Sequence, residues 1–179
     1  MQSQFNQAQA FHQSGQLQKA ESIYRQLLQE QPSHPVMLTR LAQLLHQTQR
    51  SREALVLMRQ AIEKLSGNYE LLMQGVAIST VVAENILSEK WLKEAVALKQ
   101  NDLPAHEQLT GVLIGNHKES EALDLSKKVI KLDPKNANAY NLKGLALSRL
   151  GETDKGYKWF QKAIKLNPGQ LGVIRNLIL

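Results

Sequence analysis

Apolar residues between Leu38 and Leu65 fall in two helical runs. Leu38, Leu41, Ala42, Leu44 and Leu45 share one face, and Ala54, Leu55, Leu57, Met58, Ala61, Ile62 and Leu65 share another. Spacings of three and four residues gather side chains on one stripe of a 3.6-residue helix, whereas a half-buried strand would alternate at every second position. A polar break carrying Gln49 and Arg50 separates the runs, where other breaks hold Gly15 and Gly151. Glycine tolerates the left-handed conformation that ends a helix. Continued along the chain, the pattern predicts helices near 3–14, 17–31, 35–48, 51–65, 69–82, 85–99, 103–116, 119–132, 137–150 and 153–166.

The pattern returns every 34 residues: KKVIKLDPK at 127–135 reappears as QKAIKLNPG at 161–169. Small residues hold three registers: Ala8, Ala42, Val76, Thr110 and Gly144; Ala20, Ala54, Ser88, Ala122 and Gly156; and Leu27, Ala61, Ala95, Val129 and Ala163, where Leu27 and Val129 are larger. Larger residues hold two more: Phe11, Leu45, Leu113 and Leu147, broken by Ser79; and Tyr24, Met58, Leu92 and Phe160, broken by Ser126. Small side chains let two helix backbones approach, and large ones fill the remaining volume. Pro32, Pro134 and Pro168 stop the second helix of their units, because proline cannot continue a helix. The units run 1–34, 35–68, 69–102, 103–136 and 137–170, with a partial unit at 171–179.

These residues resemble the tetratricopeptide repeat (TPR) family, whose unit is a 34-residue helix–turn–helix with small residues at the crossing, a large apolar partner and a late proline. The unit 137–170 matches best, through Tyr140, Gly144, Leu147, Gly151, Phe160, Ala163 and Pro168. The resemblance implies an all-α fold: a right-handed superhelical solenoid of antiparallel helix pairs, with five TPR-like repeats plus the first helix of a sixth. The unit 69–102 departs most, with Gly75, Val76 and Ser79 at its crossing and no glycine at its turn. Its first helix is expected to be displaced or its turn altered, with Trp91 filling the space.

Stacked helix pairs present a concave surface made mainly by their first helices, and the resemblance implies that a protein or peptide partner binds there. One inner row is Asn6, Arg40, Gln74, Gln108, Leu142 and Asn176, and a second is Phe5, Thr39, Met73, Glu107, Asn141 and Arg175. Deeper rows carry Gln9, Gln43, Ala77, Gly111 and Leu145, then His12, His46, Thr80, Ile114 and Ser148. A primary amide both donates and accepts, so a spaced row of amides can grip a peptide main chain without reading its side chains. The expected groove residues are Asn6, Gln9, Arg40, Gln43, Gln74, Gln108, Asn141 and Asn176. The row is similar in part to the asparagine ladder of O-GlcNAc transferases, broken here by Arg40 and Leu142. It does not match the carboxylate clamp of chaperone-binding TPR domains, since only Arg40 and Arg175 are basic in the two inner rows.

Composition narrows the chemistry. The chain has 179 residues and no cysteine, which excludes a disulfide frame and thiolate metal ligation. His12 and His46 lie one period apart without an evident third ligand, and His34, His106 and His117 read as surface residues, so no metal is expected. No metalloprotease, phosphate-loop or nucleophile-elbow motif is present, so the reading is non-enzymatic and without cofactor. Net charge is +6, with residues 91–179 holding 14 Lys/Arg against 9 Asp/Glu. Lys127, Lys128, Lys131, Lys158, Lys162 and Lys165 read as a solvated outer face, with nucleic acid or an anionic surface as the alternative.

Residues 1–15 lack a basic segment followed by an apolar one, and no apolar run approaches the roughly 18–20 residues of a membrane span, so a cytoplasmic location is expected. In 171–179, Leu171, Ile174, Leu177 and Ile178 have no second helix to cover them. We expect a natural reading frame that continues past Leu179 and, in isolation, a stub that frays or self-associates through its apolar patch. The continuing frame fits a second reading, in which the chain is the N-terminal recognition arm of a larger enzyme of glycosyltransferase or sulfotransferase type.

Overall fold

Four first helices begin with a side-chain cap at one fixed register. His34, Asn68, Asp102 and Asn136 accept from the backbone N–H of Met37, Leu71, Ala105 and Ala139, three residues on, at 3.4, 3.0, 2.8 and 2.9 Å. Each cap satisfies one of the donors that a helix start leaves open. The computed structural model describes residues 2–169 and 171–178, and of Leu171, Val173, Leu177 and Ile178 the backbone alone. It is all helix: α1 (Gln2–Gln13), α2 (Leu17–Glu30), α3 (Pro35–Gln47), α4 (Ser51–Lys64), α5 (Tyr69–Val81), α6 (Asn85–Leu98), α7 (Leu103–Gly115), α8 (Glu119–Leu132), α9 (Ala137–Arg149), α10 (Thr153–Leu166) and α11 (Leu171–Ile178). The helices expected from the apolar periodicity agree to within a residue or two at either end.

The turns within pairs share one geometry. Gly15, Gln49, Ala83, His117 and Gly151, spaced by one period, have φ of 76, 64, 61, 59 and 84°. The residue after each donates its backbone N–H to the carbonyl five residues back. These bonds are Gln16 to Phe11, Arg50 to Leu45, Glu84 to Ser79, Lys118 to Leu113 and Glu152 to Leu147, all at 2.8–2.9 Å. This left-handed closure satisfies carbonyls that the helix end would leave open. The altered turn expected in the unit 69–102 is therefore corrected: Ala83 adopts the left-handed conformation without glycine, because the closing hydrogen bonds involve backbone alone. Its first helix, α5, occupies the same span of the period as α3 and α7.

The chain forms two compact units, Met1–Glu84 and Asn85–Leu179. In the first, α1 to α5 pack in sequence, each on the next. Ala8, Ala20, Leu27, Leu38, Leu41, Ala42, Leu45, Ala54, Met58 and Ala61 are sealed in its core. In the second, α6 to α11 do the same, with α7 also meeting α9. Trp91, Leu92, Ala95, Leu113, Ala122, Val129, Tyr140 and Phe160 are buried there.

The tightest crossing joins α9 and α10. A Cβ on Gly144 would lie 2.6 Å from the Phe160 ring and 2.9 Å from the Gly156 carbonyl oxygen, and one on Gly156 would lie 2.7 Å from the Gly144 carbonyl oxygen. Only glycine fits either place. His106, expected at the surface, is corrected as well: it is 1% exposed. It shares the buried register of Leu38, Leu72 and Tyr140, and its Nδ1 lies 2.7 Å from the Asp102 carbonyl oxygen.

Side chains of Leu171, Leu177 and Ile178, on which the expected self-association rests, lie outside the described residues. Ile174 is 36% exposed, and α11 packs on α10. Among the described residues, no helix is long and apolar enough to cross a membrane.

Candidate functional site

The polar face of the first unit holds two pockets that share one side chain. One, of about 170 Å³, is lined by Gln9, His12, Gln13, Tyr24 and Arg40. The other, of about 200 Å³, lies over α3 and α5 and is lined by Arg40, Thr39, Gln43, Gln74, Asn68 and Glu70 above an apolar floor of Val36, Leu65 and Leu71. The helical period explains the arrangement. Leu38, Leu41, Leu44 and Leu45 turn the buried face of α3 inward, and this presents Arg40 and Gln43, one turn apart, on the other side.

Arg40 Nη1 donates to Gln43 Oε1 at 3.1 Å, and Gln43 Nε2 donates to Gln74 Oε1 at 2.9 Å. The chain of donors runs from a guanidinium through two amides and links α3 to α5. A charged donor polarises the amides that follow it. Among the described residues Arg40 makes no ion pair with a carboxylate, although the chain has sixteen Asp and Glu. Its charge therefore faces the pockets.

Tyr24 closes the smaller pocket from α2. Its ring lies 6.1 Å from that of Phe5, and edge-on to that of His12 at 6.3 Å. The residue is fully buried, and its hydroxyl has no hydrogen-bond partner among the described residues. Leaving a buried hydroxyl unpaired costs roughly 1–3 kcal/mol. Burial pushes the phenol above its ordinary 10, while the Arg40 charge opposes the rise. The hydroxyl is thus a protonated donor at neutral pH.

Four of the eight expected groove residues, Gln9, Arg40, Gln43 and Gln74, meet at these pockets. Asn6, on the same unit, is exposed and accepts from Gln2 at 3.0 Å. In the second unit, Gln108 is exposed, while Asn141 is 9% exposed and accepts from Asn176 Nδ2 at 2.9 Å. Nearby, Glu107 takes hydrogen bonds from Asn136 and, at 2.6 Å, from Asn138. In the second unit Asn141 pairs with Asn176 and Glu107 with Asn136 and Asn138, whereas among the described residues the first unit keeps a guanidinium without an ion pair and an unpaired hydroxyl.

The histidines of the deeper row have separate partners. His12 Nε2 lies 3.0 Å from Gln47 Oε1, and His46 Nδ1 lies 2.9 Å from Ser51 Oγ. Among the described residues no group of three or more His, Asp or Glu could hold a metal ion. On the lysine face, Lys143 Nζ sits 3.5 Å from the centre of the Trp159 ring and Lys162 Nζ sits 4.4 Å from that of Tyr140, the two rings being stacked at 5.6 Å. Lys143 occupies the register of the buried Leu41 and Leu109. Burial, with the charges of Lys127 and Lys162, holds its amine below the ordinary 10.5. The lysines thus occupy these aromatic faces themselves, where a stacked base would need them free.

The apolar pattern misses two groups. Tyr24 reads as a core aromatic, because periodicity reports where a side chain is buried and not whether its hydroxyl finds a partner. Glu89, 6% exposed, is a buried acid held by Lys118, Lys93 and Asn116. A clue to it lies in the sequence: Glu21, Arg25, Arg50 and Glu53 recur two periods later as Glu89, Lys93, Lys118 and Glu121.

Comparison with known proteins bears on the family and the fold. Models of the tetratricopeptide repeat match residues 11–73 and 137–170, together more than half of the chain. The structure of YrrB, a TPR protein with an unusual peptide-binding site, superimposes with a TM-score of 0.87 at 21% identity, covering 98% of this chain and 91% of that one. A MamA protein superimposes with a TM-score of 0.78 at 19% identity, covering 95% and 93%. At these identities the likeness is one of fold. In sequence, the protein O-mannosyl-transferase TMTC1 of Homo sapiens is 25% identical over 167 residues, or 91% of this chain. The chain spans 19% of the length of that curated relative.

Proposed function

The chain belongs to the tetratricopeptide-repeat family, whose repeats mediate protein–protein interaction, and from that premise we propose that it is a non-catalytic module that holds an extended peptide on the first helices of Met1–Glu84. The observation that carries this reading is the run from Arg40 through Gln43 to Gln74 along two adjoining pockets. Each amide keeps unused hydrogen-bonding capacity after its bond to a neighbour. A peptide backbone offers matching donors and acceptors at regular intervals. Recognition therefore falls on the main chain, with weak preference for side chains beyond those that enter the pockets. The peptide-binding site of YrrB, on the same fold, supports the reading by analogy.

Selection from a displayed library of nine-residue peptides, followed by calorimetric titration, tests it. Gln43→Ala with Gln74→Ala should weaken a selected peptide about 5- to 150-fold, from roughly 0.5–1.5 kcal/mol per neutral hydrogen bond if the two add. The melting temperature should hold, because neither side chain is in the core. Unchanged affinity would shift the reading to the lysines of α8 and α10.

A second reading is favoured by the match to the transferase TMTC1, of which this chain covers a minor part. In it the same groove is the recognition arm of a larger enzyme. A transcript that joins these repeats, at either end, to a transferase domain would support this, and a complete transcript that encodes them without one would overturn it.

A further inference from the structure

The smaller pocket has a polarity that selects its occupant. It is lined by Gln9, His12, Gln13, Tyr24 and Arg40, and no carboxylate is among them. Its two distinctive groups are both donors. The Tyr24 hydroxyl is sealed from solvent and unpaired among the described residues, and the Arg40 guanidinium has a neutral amide, that of Gln43, as its hydrogen-bond acceptor. A peptide carbonyl could accept from one of them, but it would bring no charge to the guanidinium, which makes no ion pair among the described residues. A carboxylate offers two oxygens and a negative charge, so one group can take a phenolic O–H and a guanidinium N–H together.

We propose that this pocket, enclosed by α1, α2 and α3, is a subsite for the side-chain carboxylate of a Glu or Asp in the bound peptide. Arg40 donates to the carboxylate, the Tyr24 hydroxyl donates to it once its entry parts the side chains that seal that hydroxyl from solvent, and the Gln9 and Gln13 amides stand around it. The occupant is a side chain and not a chain terminus, because Arg40 also lines the neighbouring pocket and the peptide main chain runs on from one to the other. A volume of about 170 Å³ accommodates one such side chain. The phenol, ordinarily protonated below pH 10 and pushed further up by burial, is a donor at neutral pH. The inference rests on the peptide-groove reading and adds a selection to it, one acidic residue in a ligand otherwise read through its backbone.

The test uses the full chain and three small probes: N-acetyl-glutamate amide, N-acetyl-glutamine amide and N-acetyl-alanine with a free carboxylate. Binding is followed through the NMR signals of the Arg40 Nε–H and the Tyr24 ring. The glutamate probe should move both signals and saturate, and the glutamine probe should move neither. Tyr24→Phe, which keeps the ring in the core, should weaken the glutamate probe about tenfold or more, the size expected for a hydrogen bond to a charged group. Arg40→Gln should abolish its binding. Equal response to the glutamate and glutamine probes, or unchanged binding by Tyr24→Phe, would overturn the subsite. Tighter binding of N-acetyl-alanine than of the glutamate probe would assign the pocket to a chain terminus and overturn the side-chain assignment. The underlying reading fails separately. If library peptides do not bind while the glutamate probe does, the extended groove falls and the subsite stands.

Discussion

Glu89 and Lys118 meet at 2.7 Å between the start of α6 and the turn before α8. Two periods earlier, Glu21 and Arg50 meet at 2.9 Å between α2 and the turn before α4. In each case the basic residue directly follows the left-handed residue of a turn, His117 or Gln49. A second cation one helical turn along, Lys93 or Arg25, joins the acid and reaches on to Glu121 or Glu53. The tie links consecutive second helices in alternate repeats. The corresponding positions of the second and fourth repeats are Leu55 and Leu123, which cannot make it.

Glu89 should make stability sensitive to acid. Burial raises its pKa, but hydrogen bonds from Lys118, Lys93 and Asn116 outweigh burial and hold it at about 2, against an ordinary 4.5. A depressed carboxylate pKa contributes stability that is full above about 4.5 and is lost as pH falls from there to about 2. The contribution is on the order of 3 kcal/mol. Thermal melts of the wild type and Glu89→Gln should differ most above pH 5 and converge toward pH 2. A constant gap across that range would assign the loss to packing instead.

Ala83→Gly should stabilise the chain. The left-handed conformation costs a non-glycine residue roughly 1–2 kcal/mol, part of which is offset by the greater freedom of glycine when unfolded. A rise of a few degrees in melting temperature is expected, and His117→Gly should behave in the same way. A fall would mean that these side chains make contacts that outweigh the strain.

Two helical glycines should respond oppositely to alanine. A Cβ on Gly111 meets nothing within 4 Å, so Gly111→Ala should gain about 0.5–1 kcal/mol from helix propensity. Gly144→Ala would drive a methyl into the Phe160 ring and the Gly156 carbonyl, and should lose more than Gly111→Ala gains. Denaturant titration of both variants checks the sign of each.

Much of this was legible in the chain. The 34-residue registers located the helix pairs and the core, because burial follows spacing, and they brought Gln9, Arg40, Gln43 and Gln74 to one face. The turn at Ala83 is not legible in the sequence, because no glycine marks it and its closing bonds involve backbone alone. The burial of His106 is legible in its register, shared with Leu38 and Leu72, and not in its polar side chain. Asn141 pairs with Asn176 through a particular choice of rotamers, which no period encodes. The Tyr24 hydroxyl needed three-dimensional bookkeeping of donors and acceptors.

The central claim, a peptide held by its main chain along α3 and α5, is tested most directly by N-methylating a library-selected peptide one residue at a time and titrating each product. Methylation removes a backbone donor and leaves every side chain in place. The account predicts that methyl groups at the residues opposite Gln43 and Gln74 weaken binding about threefold or more each, while alanine at any non-acidic side chain changes it little. Tolerance of every methyl group, with loss of binding on alanine replacement of individual non-acidic side chains, would contradict it.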